Sequence, residues 1–175
     1  MNAPTTARWV EAARDGDRAA FGRLYDLYGR MVHGVLLARV PRDDVEDLVQ
    51  EVFIKALRQL QSLRDARAFG GWLVTIARNT ATDRMRRQPD PLELSDDVPA
   101  PASHEDEARA VLRLIRGLPE AYRETLMLRL VEGMAGPEIA ERTGLTPGSV
   151  RVNLHRGIAM LRERLGVVEG RTKGA

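Results

Sequence analysis

Cysteine is absent from the 175-residue chain, which excludes disulfides, iron–sulfur clusters and thiolate zinc sites. Aromatic residues make up only 5% of the sequence, whereas charged residues make up 30%. Because strands favour aromatic and β-branched residues, this composition favours helices. No stretch approaches the roughly 18 consecutive apolar residues of a membrane-spanning helix, and the N-terminal segment MNAPTT lacks the basic and apolar parts of a signal peptide. We therefore expect a cytoplasmic protein without membrane insertion.

Motifs of catalytic and metal sites are also lacking. The sequence has no Walker A phosphate loop, no Gly-x-Ser-x-Gly nucleophile elbow, no His-Glu-x-x-His zinc motif and no calcium-binding loop. The histidines, His33, His104 and His155, lie in different segments without ligand spacing. The sequence therefore predicts a protein that is not an enzyme, with no catalytic residue, no metal and no cofactor.

Charge is distributed unevenly along the chain. Residues 1–88 carry 15 Lys and Arg against 11 Asp and Glu, and residues 110–175 carry 11 against 7. Between them, residues 89–109 carry one Arg against seven acids. Two basic blocks around an acidic connector indicate contact with a polyanion at two places, although solvated helix faces are also charged.

The acidic connector marks the domain boundary. Residues 88–103 contain four of the nine prolines and few apolar side chains. Proline blocks helix formation and like charges repel, so this composition is typical of an extended, flexible linker. We predict an all-α protein of two small helical domains, residues 1–88 and 105–166, with a flexible linker over residues 89–104 and a disordered tail over residues 167–175.

Apolar patterns with helical period fill the first domain. They occupy residues 21–36, 45–60 and 72–81. A short helix over residues 8–14 precedes them, and Gly16 and Asp17 are suited to end that helix and cap the next. The spacing of Asp43 and Glu46 predicts a capping box at the start of the second pattern. Phe69-Gly70-Gly71 predicts a chain break before the third.

The second domain contains the remaining helical patterns. We predict helices over residues 105–116, 119–131, 137–142 and 147–165. Pro119, Pro137 and Pro147 each stand at a first helical turn, where a missing N–H costs nothing. Glycines near helix ends often adopt a positive φ, and these are Gly117, Gly133 and Gly144.

Residues 137–154 have the layout of a helix-turn-helix. Ala140 is small enough for a second helix to cross closely, and Gly144 permits the tight turn. Leu145 fills the corner, and Thr146 is suited to cap the second helix. A plain helical hairpin is the alternative, but the combined spacing of these residues favours DNA binding.

The second helix of this motif divides into a buried and an exposed side. Val150 and Leu154, four residues apart, are predicted to face the core. The positions between and after them are Arg151, Val152, Asn153, His155 and Arg156. Arginine pairs with guanine and asparagine with adenine in the major groove, while other side chains hold phosphates.

Several segments together resemble RNA polymerase sigma factors of the extracytoplasmic-function (group IV) type. Residues 149–157 and 118–124 resemble region four of that family, which contains the helix-turn-helix. Residues 43–53 resemble the polymerase-binding helix of region two, and residues 69–79 and 83–87 resemble its promoter-melting and −10-reading segment. The resemblance covers about residues 10–165 in the family's order. Two departures are Gly136-Pro137, where the family often has an aromatic and an acid, and Gly157, where it has a small alanine.

The resemblance implies a function and partners. Such a protein binds core RNA polymerase through the clamp coiled coil and the flap, binds promoter DNA, and directs initiation by reading −35 and −10 elements and helping to melt DNA. It is monomeric when free and is controlled by an anti-sigma factor. The alternative is a conventional regulator whose first domain senses a signal or dimerises, and such a protein binds a palindrome as a dimer.

The resemblance also assigns roles to residues of the first domain. Polymerase contacts are implied for Asp47, Leu48, Gln50, Glu51 and Phe53, with Leu48 and Phe53 equally suited to the core. A loop that captures a flipped −10 base is implied around Arg64, Asp65, Arg67 and Phe69, with Phe69 and Trp72 equally suited to the core. Contacts to the −10 element are implied for Arg78, Asn79, Thr82, Asp83, Arg86 and Arg87, unless this is only a solvated charged face.

In the second domain, the resemblance implies contact with the −35 element. Base contacts are implied for Arg151, Val152, His155 and Arg156, although His155 is also compatible with a plain exposed position. Phosphate contacts are implied for Ser149, Asn153 and Arg142.

Overall fold

The computed structural model describes residues 3–87 and 104–166, and the predicted linker up to residue 103 and tail lie outside this part. The described residues are helical and contain no strand, as the composition predicts. The α-helices are α1 (Ala3–Arg14), α2 (Arg18–Leu37), α3 (Arg42–Gln59), α4 (Phe69–Arg87), α5 (His104–Arg116), α6 (Glu120–Leu126), α7 (Gly136–Thr143) and α8 (Pro147–Arg164). Helices α1–α4 form the first domain and α5–α8 the second, which confirms the predicted fold class.

The connection between α1 and α2 follows the sequence prediction. Gly16 has a φ of 95°, which a residue without Cβ adopts at little cost. The carboxylate of Asp17 accepts hydrogen bonds from the backbone N–H groups of Ala19 and Ala20 at 2.8 and 3.0 Å. These bonds satisfy donors that the first turn of a helix leaves without partners. Gly16 and Asp17 therefore end one helix and begin the next.

The start of α3 differs from the prediction. Pro41 is the N-cap and makes no side-chain cap, so the expected capping box of Asp43 and Glu46 is absent. Because the helix begins at Arg42, two residues earlier than the box requires, Asp43 already lies in the first turn. Asp44 instead accepts a hydrogen bond from Nη2 of Arg84 on α4, at 2.7 Å. This ion pair fixes the two helices relative to one another.

The predicted break at residues 69–71 is also wrong. Two short 3₁₀ turns, Leu60–Ser62 and Ala66–Ala68, make the connection, and α4 begins at Phe69. Gly70 and Gly71 therefore lie within its first turn. A Cβ on Gly70 would overlap the carbonyl oxygen of Arg142 at the end of α7. The glycines permit close helix packing at this point and do not interrupt the chain.

The second domain departs from a simple helix after α6. A π-helical turn, Met127–Val131, follows α6, and Gly133 then reverses the chain with a φ of 65°. Gly144 also has a positive φ as predicted, but Gly117 does not. Pro137 and Pro147 stand in first turns, whereas Pro119 is the N-cap of α6.

A buried core runs through both domains. In the first, the largest fully buried side chains are Leu24, Met31, Leu36, Leu60, Phe69 and Leu73. In the second they are Ile115, Leu126, Met127, Leu128, Met134 and Ile139. The domains also contact one another, since α2 packs against α7 and the π-helical turn, and α4 packs against α7. This contact brings the proposed DNA-binding surfaces of the first domain beside the second.

Candidate nucleic-acid interface

The turn of the helix-turn-helix has the predicted geometry. Gly144 adopts a left-handed conformation with φ 77°, and its N–H donates to the carbonyl oxygen of Ala140 at 3.0 Å. Thr146 caps α8 by accepting a hydrogen bond from the N–H of Ser149 at 3.1 Å. Leu145 is half-buried, and Ala140 is buried where the two helices cross. These contacts fix α8 relative to α7.

Helix α8 presents the four predicted base-contacting side chains to solvent. Arg151, Val152, His155 and Arg156 are all exposed, and their spacing places them on one side of the helix. The opposite side packs inward through Val150, Gly157 and Leu161. An exposed helix with basic and polar side chains, rigidly held by a turn, is the geometry that inserts into a major groove.

The three predicted phosphate contacts on this domain already have partners within the protein. Asn153 donates from its side-chain amide to Oγ1 of Thr125 at 3.4 Å. Arg142 pairs with Glu138 at 2.8 Å, and its side chain is mostly buried. Ser149 remains exposed, with its hydroxyl 2.8 Å from that of Thr146. Ser149 lies in the first turn of α8, where backbone N–H groups favour a phosphate.

Helix α4 carries the predicted −10 residues. Asn79, Thr82, Arg86 and Arg87 are exposed, and Asp83 is half-buried. The hydroxyl of Thr82 donates to the carbonyl oxygen of Arg78 at 2.9 Å.

The guanidinium of Arg78 on the same helix is engaged by the second domain. It donates to both oxygens of Glu124, from Nη2 at 2.8 Å and from Nε at 3.1 Å. This hydrogen bonding raises the pKa of Arg78.

The predicted capture loop is anchored at its start and open at its centre. Arg14 of α1 donates to the carbonyl oxygens of Leu60 and Leu63, and Gln61 donates to the carbonyl oxygen of Arg14 at 2.9 Å. These bonds hold the loop beside α1. Its next three polar side chains, Arg64, Asp65 and Arg67, are all exposed.

Asp65 organises the exposed part of this loop. Its carboxylate accepts from the N–H of Arg67 at 2.9 Å and from Nε of Arg67 at 3.1 Å. The hydrogen bond from the Arg67 side chain holds the pKa of Asp65 below its ordinary value. The loop thus presents hydrogen-bond donors and acceptors to solvent in a defined arrangement.

Phe69 lies in the core. It is fully buried, with its ring centroid 5.2 Å from that of Tyr28 and 5.8 Å from that of Trp72. Phe69 was predicted to lie either in the capture loop or in the core, and the structure places it in the core. In this conformation the ring is not accessible to a base.

The predicted polymerase-binding residues divide between surface and core. Asp47 and Gln50 are exposed, and Glu51 pairs with Lys55 at 2.7 Å. Leu48 and Phe53 are buried. On the exposed surface of α3, the sequence analysis identified only the polar side chains.

Apolar side chains extend that surface. Tyr25 is 40% exposed, Ile54 is 50% exposed and Leu57 is 52% exposed. The ring of Tyr25 lies over buried Phe53, with centroids 4.5 Å apart. Leu57 and Tyr25 belong to the apolar patterns that predicted the core, so their exposure corrects that prediction. Ile54 does not fit the helical spacing of the apolar residues in segment 45–60. This misfit was the sequence signal that an apolar residue there is exposed.

An ion cluster between the domains, with a buried pair at its centre, was missed by the sequence analysis. We call Arg39, Arg78, Glu120 and Glu124 the interdomain cluster. The side chains of Arg39 and Glu124 are only 7% and 4% exposed, and they pair at 2.8 Å. Arg39 also pairs with Glu120, and the hydrogen bond from Arg39 lowers the pKa of Glu120. A buried charge requires such a partner.

Sequence signals for this cluster exist. Arg39 interrupts a continuous apolar run from Val35 to Val40, and Glu124 directly precedes a buried segment. A charged residue in such a position indicates a buried pair, although it does not identify the partner. Beside the cluster lies an open cleft of about 440 Å³, lined in part by Arg78, Thr82 and Arg86 of α4.

A second polar contact ties the domains together near the π-helical turn. Nδ1 of His33 lies 2.5 Å from Oε1 of Glu132, and Glu46 lies 3.8 Å from the other ring nitrogen. The hydrogen bond with Glu132 raises the pKa of His33 above its ordinary value of 6.5, despite the opposing effect of burial.

Within residues 3–87 and 104–166, no group of His, Asp and Glu side chains could hold a metal ion. No helix in that same part of the chain is long and apolar enough to cross a bilayer.

The fold and the exposed face of α8 define the class of the protein: it is a helical DNA-binding protein with a helix-turn-helix. Residues 24–89 match the family model of Sigma-70 region 2, and residues 108–161 match that of Sigma-70, region 4. The chain is 34% identical to the ECF RNA polymerase sigma-E factor of Haemophilus influenzae, over 89% of this chain and 93% of the relative. It is 35% identical to the RNA polymerase sigma factor CarQ of Myxococcus xanthus, over 91% of this chain and 97% of the relative.

A solved structure agrees with this family. The complex of CnrH with the cytosolic domain of CnrY matches with a TM-score of 0.64 and 26% identity, over 93% of this chain and 98% of that chain. The chain belongs to the extracytoplasmic-function sigma factors. It is therefore a non-catalytic DNA-binding protein that directs promoter-specific initiation of transcription by RNA polymerase.

Proposed function

We propose that the two domains divide promoter recognition between them. Residues 1–88 dock on core polymerase, read the −10 element and help to open it, and residues 105–166 read the −35 element. The segment 89–104 joins the two domains, and the tail 167–175 takes no part in promoter recognition. The observation that carries the proposal is the exposed side of α8, which is free of buried apolar contacts and rigidly positioned by the Gly144 turn and the Thr146 cap.

At the −35 element, Arg151, Val152, His155 and Arg156 contact bases. Their exposure on one side of α8 supports this assignment. An arginine that pairs with the two acceptors of guanine contributes about 1–3 kcal/mol of discrimination. Ser149, Asn153 and Arg142 contact phosphates, and Ser149 does so together with backbone N–H groups of the first turn.

At the −10 element, α4 and the capture loop act in sequence. Asn79, Thr82, Asp83, Arg86 and Arg87 approach the upstream duplex together with Arg78. Arg64, Asp65 and Arg67 then hold a base that has left the stack, which requires hydrogen bonds to repay an unstacking cost of a few kcal/mol. Their exposure and the anchoring of the loop on α1 support this role. Phe69 supports the loop from the core.

Docking on polymerase uses the exposed side of α3. Asp47, Gln50 and Glu51 contact the clamp coiled coil, and buried Leu48 and Phe53 support them from beneath. Exposed Tyr25, Ile54 and Leu57 are large apolar side chains on the same domain. A polar and apolar mixture of this kind is typical of protein interfaces.

Partners and location follow from the family. Core RNA polymerase is bound through the clamp coiled coil and the flap, and the free protein is a monomer in the cytoplasm with no catalytic residue. An anti-sigma factor controls it. The solved complex of CnrH with the cytosolic domain of CnrY shows a similar chain bound to another protein, which supports a protein partner of this kind.

The division of labour is tested with two sets of variants in reconstituted holoenzyme. Arg151→Ala is expected to lose about 1–3 kcal/mol of affinity for the preferred −35 sequence and less for altered sequences. Arg64→Ala and Asp65→Ala are expected to bind the −35 duplex normally and fail to hold the open complex. Permanganate footprinting reports opening. A promoter that is melted in advance is expected to restore the loop variants and not Arg151→Ala.

Arg162→Ala, near the exposed end of α8, is the matched control for the first variant. A uniform loss at every −35 sequence with a weaker salt dependence would identify Arg151 as a phosphate contact. If the melted promoter restores both sets equally, the two domains do not act at separate steps.

A further inference from the structure

The guanidinium of Arg14, at the end of α1, lies against the connection between α3 and α4. Its Nε donates to the carbonyl oxygen of Leu60 at 3.2 Å, and its Nη2 donates to the carbonyl oxygen of Leu63. Leu60 is the C-cap of α3, and Leu63 is the C-cap of the 3₁₀ turn that follows. Carbonyl groups at helix ends lack partners within the helix, and an arginine that reaches them also complements the helix dipole. Arg14 therefore closes both helix ends, although they lie 46 and 49 residues away along the chain.

The Arg14 side chain is itself held in one orientation. Its Nη1 donates to both carboxylate oxygens of Glu11, one turn earlier on α1, at 2.8 and 2.9 Å. The side-chain amide of Gln61 donates to the backbone carbonyl oxygen of Arg14 at 2.9 Å. Only 15% of the Arg14 side chain is exposed. Each of the three guanidinium nitrogens has its own acceptor, and this pattern fits the planar fork of an arginine but not the single ammonium of a lysine.

The carbonyl group that Arg14 holds lies directly before the exposed part of the capture loop. Leu63 and Asp65 both have extended backbone, with ψ values of 113° and 112°. Asp65 is fixed on the far side, because its carboxylate accepts a hydrogen bond from the N–H of Arg67 at 2.9 Å. Side chains alternate along extended backbone, so burial of Leu63 directs Arg64 to solvent. Arg64 thus stands between two fixed residues.

Hydrogen bonds on either side fix Arg64, because Arg64 itself lies outside regular structure. Residues 63–65 belong to neither of the two 3₁₀ turns, so no helical hydrogen bond orders this backbone. A residue that must become ordered when it binds lowers affinity by about 10-fold. A segment that is ordered before binding avoids this loss. Arg14 therefore contributes order to the loop and needs no contact of its own with a ligand.

We propose that Arg14 is a positioning residue for base capture. By holding the carbonyl oxygens of Leu60 and Leu63, it keeps Arg64 and Asp65 in the arrangement that receives a base leaving the −10 stack. This role rests on the proposed function, because it requires that the capture loop binds a base. The ordering of the loop by Arg14 is independent of that requirement. Helix α1, to which the sequence analysis assigned no functional residue, thereby takes part in promoter opening.

Mobility of the loop in the free chain tests the first step without DNA. Ser62 is exposed and lies between the two carbonyl groups that Arg14 holds, and the chain has no native cysteine. A nitroxide attached at Ser62→Cys therefore reports the motion of this segment alone. Arg14→Ala is expected to raise the mobility of the nitroxide. Arg8→Ala, which removes an exposed arginine from the same helix, is the matched control and is expected to leave it unchanged. Unchanged mobility in Arg14→Ala would overturn the proposal.

Dependence of binding on the captured base separates positioning from plain stabilisation. Reconstituted holoenzyme is titrated with a forked −10 DNA and with the same DNA lacking one base, each −10 position being emptied in turn. Removal of the captured base is expected to weaken binding by the parent, and Arg64→Ala is expected to reduce this dependence. Arg14→Ala is expected to bind the intact fork about 10-fold more weakly and the fork without the captured base as the parent does. Arg8→Ala is expected to match the parent on both DNAs.

The two ways in which this experiment can fail are distinct. An equal loss on both DNAs would show that Arg14 only stabilises the first domain, which overturns the positioning role. Full dependence on the base in both Arg64→Ala and Asp65→Ala, or no dependence in the parent, would contradict the capture loop of the proposed function and overturn the positioning role with it. The nitroxide at Ser62→Cys then still shows whether Arg14 orders the loop.

Arg14→Lys protects the test against misfolding. This variant keeps the charge and most of the side chain, but its ammonium cannot donate to both carbonyl groups in the geometry of the fork. It is expected to weaken binding of the intact fork less than Arg14→Ala does, and to leave binding of the fork without the captured base unchanged. Circular dichroism measures the helix content of each variant. If Arg14→Ala loses its helices, the lysine variant decides, and either binding like that of the parent or an equal loss on both DNAs overturns the proposal.

Discussion

Gly157 shows how a single missing methyl group determines the crossing of α6 and α8. A Cβ at this position would lie 3.0 and 3.1 Å from Cδ1 and Cγ of Leu126 and 3.2 Å from Cβ of Tyr122. The family usually has alanine here, and sequence reasoning alone predicts only a helix penalty of about 1 kcal/mol for glycine. The structure gives a reason for glycine at this position, because the two helices approach so closely that a Cβ would be in tight contact with α6.

Gly157→Ala is therefore expected to lower the free energy of unfolding, by up to about 2 kcal/mol, because the gain in helix propensity of about 1 kcal/mol is outweighed by overpacking of about 1–3 kcal/mol. Urea denaturation of the full chain measures this. Gly148→Ala, in the exposed first turn of the same helix, is the control and is expected to be neutral or slightly stabilising. A stabilised Gly157→Ala protein would show that α6 and α8 can move apart without cost.

Single residues could be predicted from the sequence where their role is local. Asp17, Gly144 and Thr146 act on neighbours within about one helical turn, and the structure confirms each of them. Glu124 could not be assigned, because its partner Arg39 is distant along the chain and nothing in local spacing connects them. The predicted cap at Asp43 was wrong for a different reason, since the helix starts two residues earlier and places Asp43 inside the first turn.

At the scale of elements, α3 has two separate tasks. One side buries Val45, Val49, Val52 and Ala56 in the core, and another presents Asp47 and Gln50 to solvent. The amphipathic period predicts the buried side well. The period leaves Ile54 outside the buried side but includes Leu57 in it, so the exposure of Leu57 is seen only in the folded surface.

The double variant Gln50→Ala, Glu51→Arg tests this exposed side. We expect affinity for core polymerase to fall about 10-fold or more, which corresponds to the loss of contacts worth about 1.4 kcal/mol. Stability changes little, because the lost ion pair between Glu51 and Lys55 is an i,i+4 pair worth only a few tenths of a kcal/mol. Fluorescence anisotropy with labelled sigma factor measures the affinity, and circular dichroism measures the helix content.

Gln59→Ala with Glu163→Arg makes the same chemical changes at exposed positions away from that side. This control is expected to bind polymerase as the parent does. Equal affinity for the control and the α3 variant would place the docking surface elsewhere on the molecule.

The π-helical turn is the element that periodicity missed most clearly. Residues 119–131 have one apolar pattern, yet α6 ends at Leu126 and the wider turn follows. The N–H of Glu132 donates to the carbonyl oxygen of Met127, five residues earlier, at 3.1 Å. This turn brings Leu128 and Glu132 onto α2 at Gly34, so the cause lies in packing between domains.

For the whole molecule, the pKa shifts of His33 and Glu120 predict that packing of the second domain on the first depends on pH. The hydrogen bond with Glu132 raises the pKa of His33. The stability that this bond adds to the packing of the domains is therefore fully present below pH 6.5 and is lost as pH rises through the raised pKa. The hydrogen bond from Arg39 lowers the pKa of Glu120. The stability that this bond adds is therefore fully present above pH 4.5 and is lost as pH falls through the lowered pKa. Glu46 and Arg42 also face His33, and they act in opposite directions.

The packing of the two domains is therefore expected to be most stable between about pH 4.5 and 6.5 and to loosen as pH rises above that window, by about 0.5–1 kcal/mol for the His33 pair. Because the chain has no cysteine, dyes attached at Gln59→Cys and Glu163→Cys report the distance between the domains, and their energy transfer measured against pH checks this. His33→Gln is expected to remove the change on the alkaline side, whereas His155→Gln on the exposed side of α8 leaves it intact. A profile that is the same in both variants would assign the change to another group.

The distance along the chain between the groups of the interdomain cluster has a consequence for biogenesis. Contacts within the first domain complete once residue 87 has been made, but Arg78 and Arg39 receive Glu124 only after the following helices exist. Because contacts between distant residues form late and domains fold in order of synthesis, the first domain emerges from the ribosome with Arg78 uncovered. A nascent chain therefore passes through a stage in which its N-terminal half is folded and electropositive, and only release of the complete chain allows the second domain to pack against it.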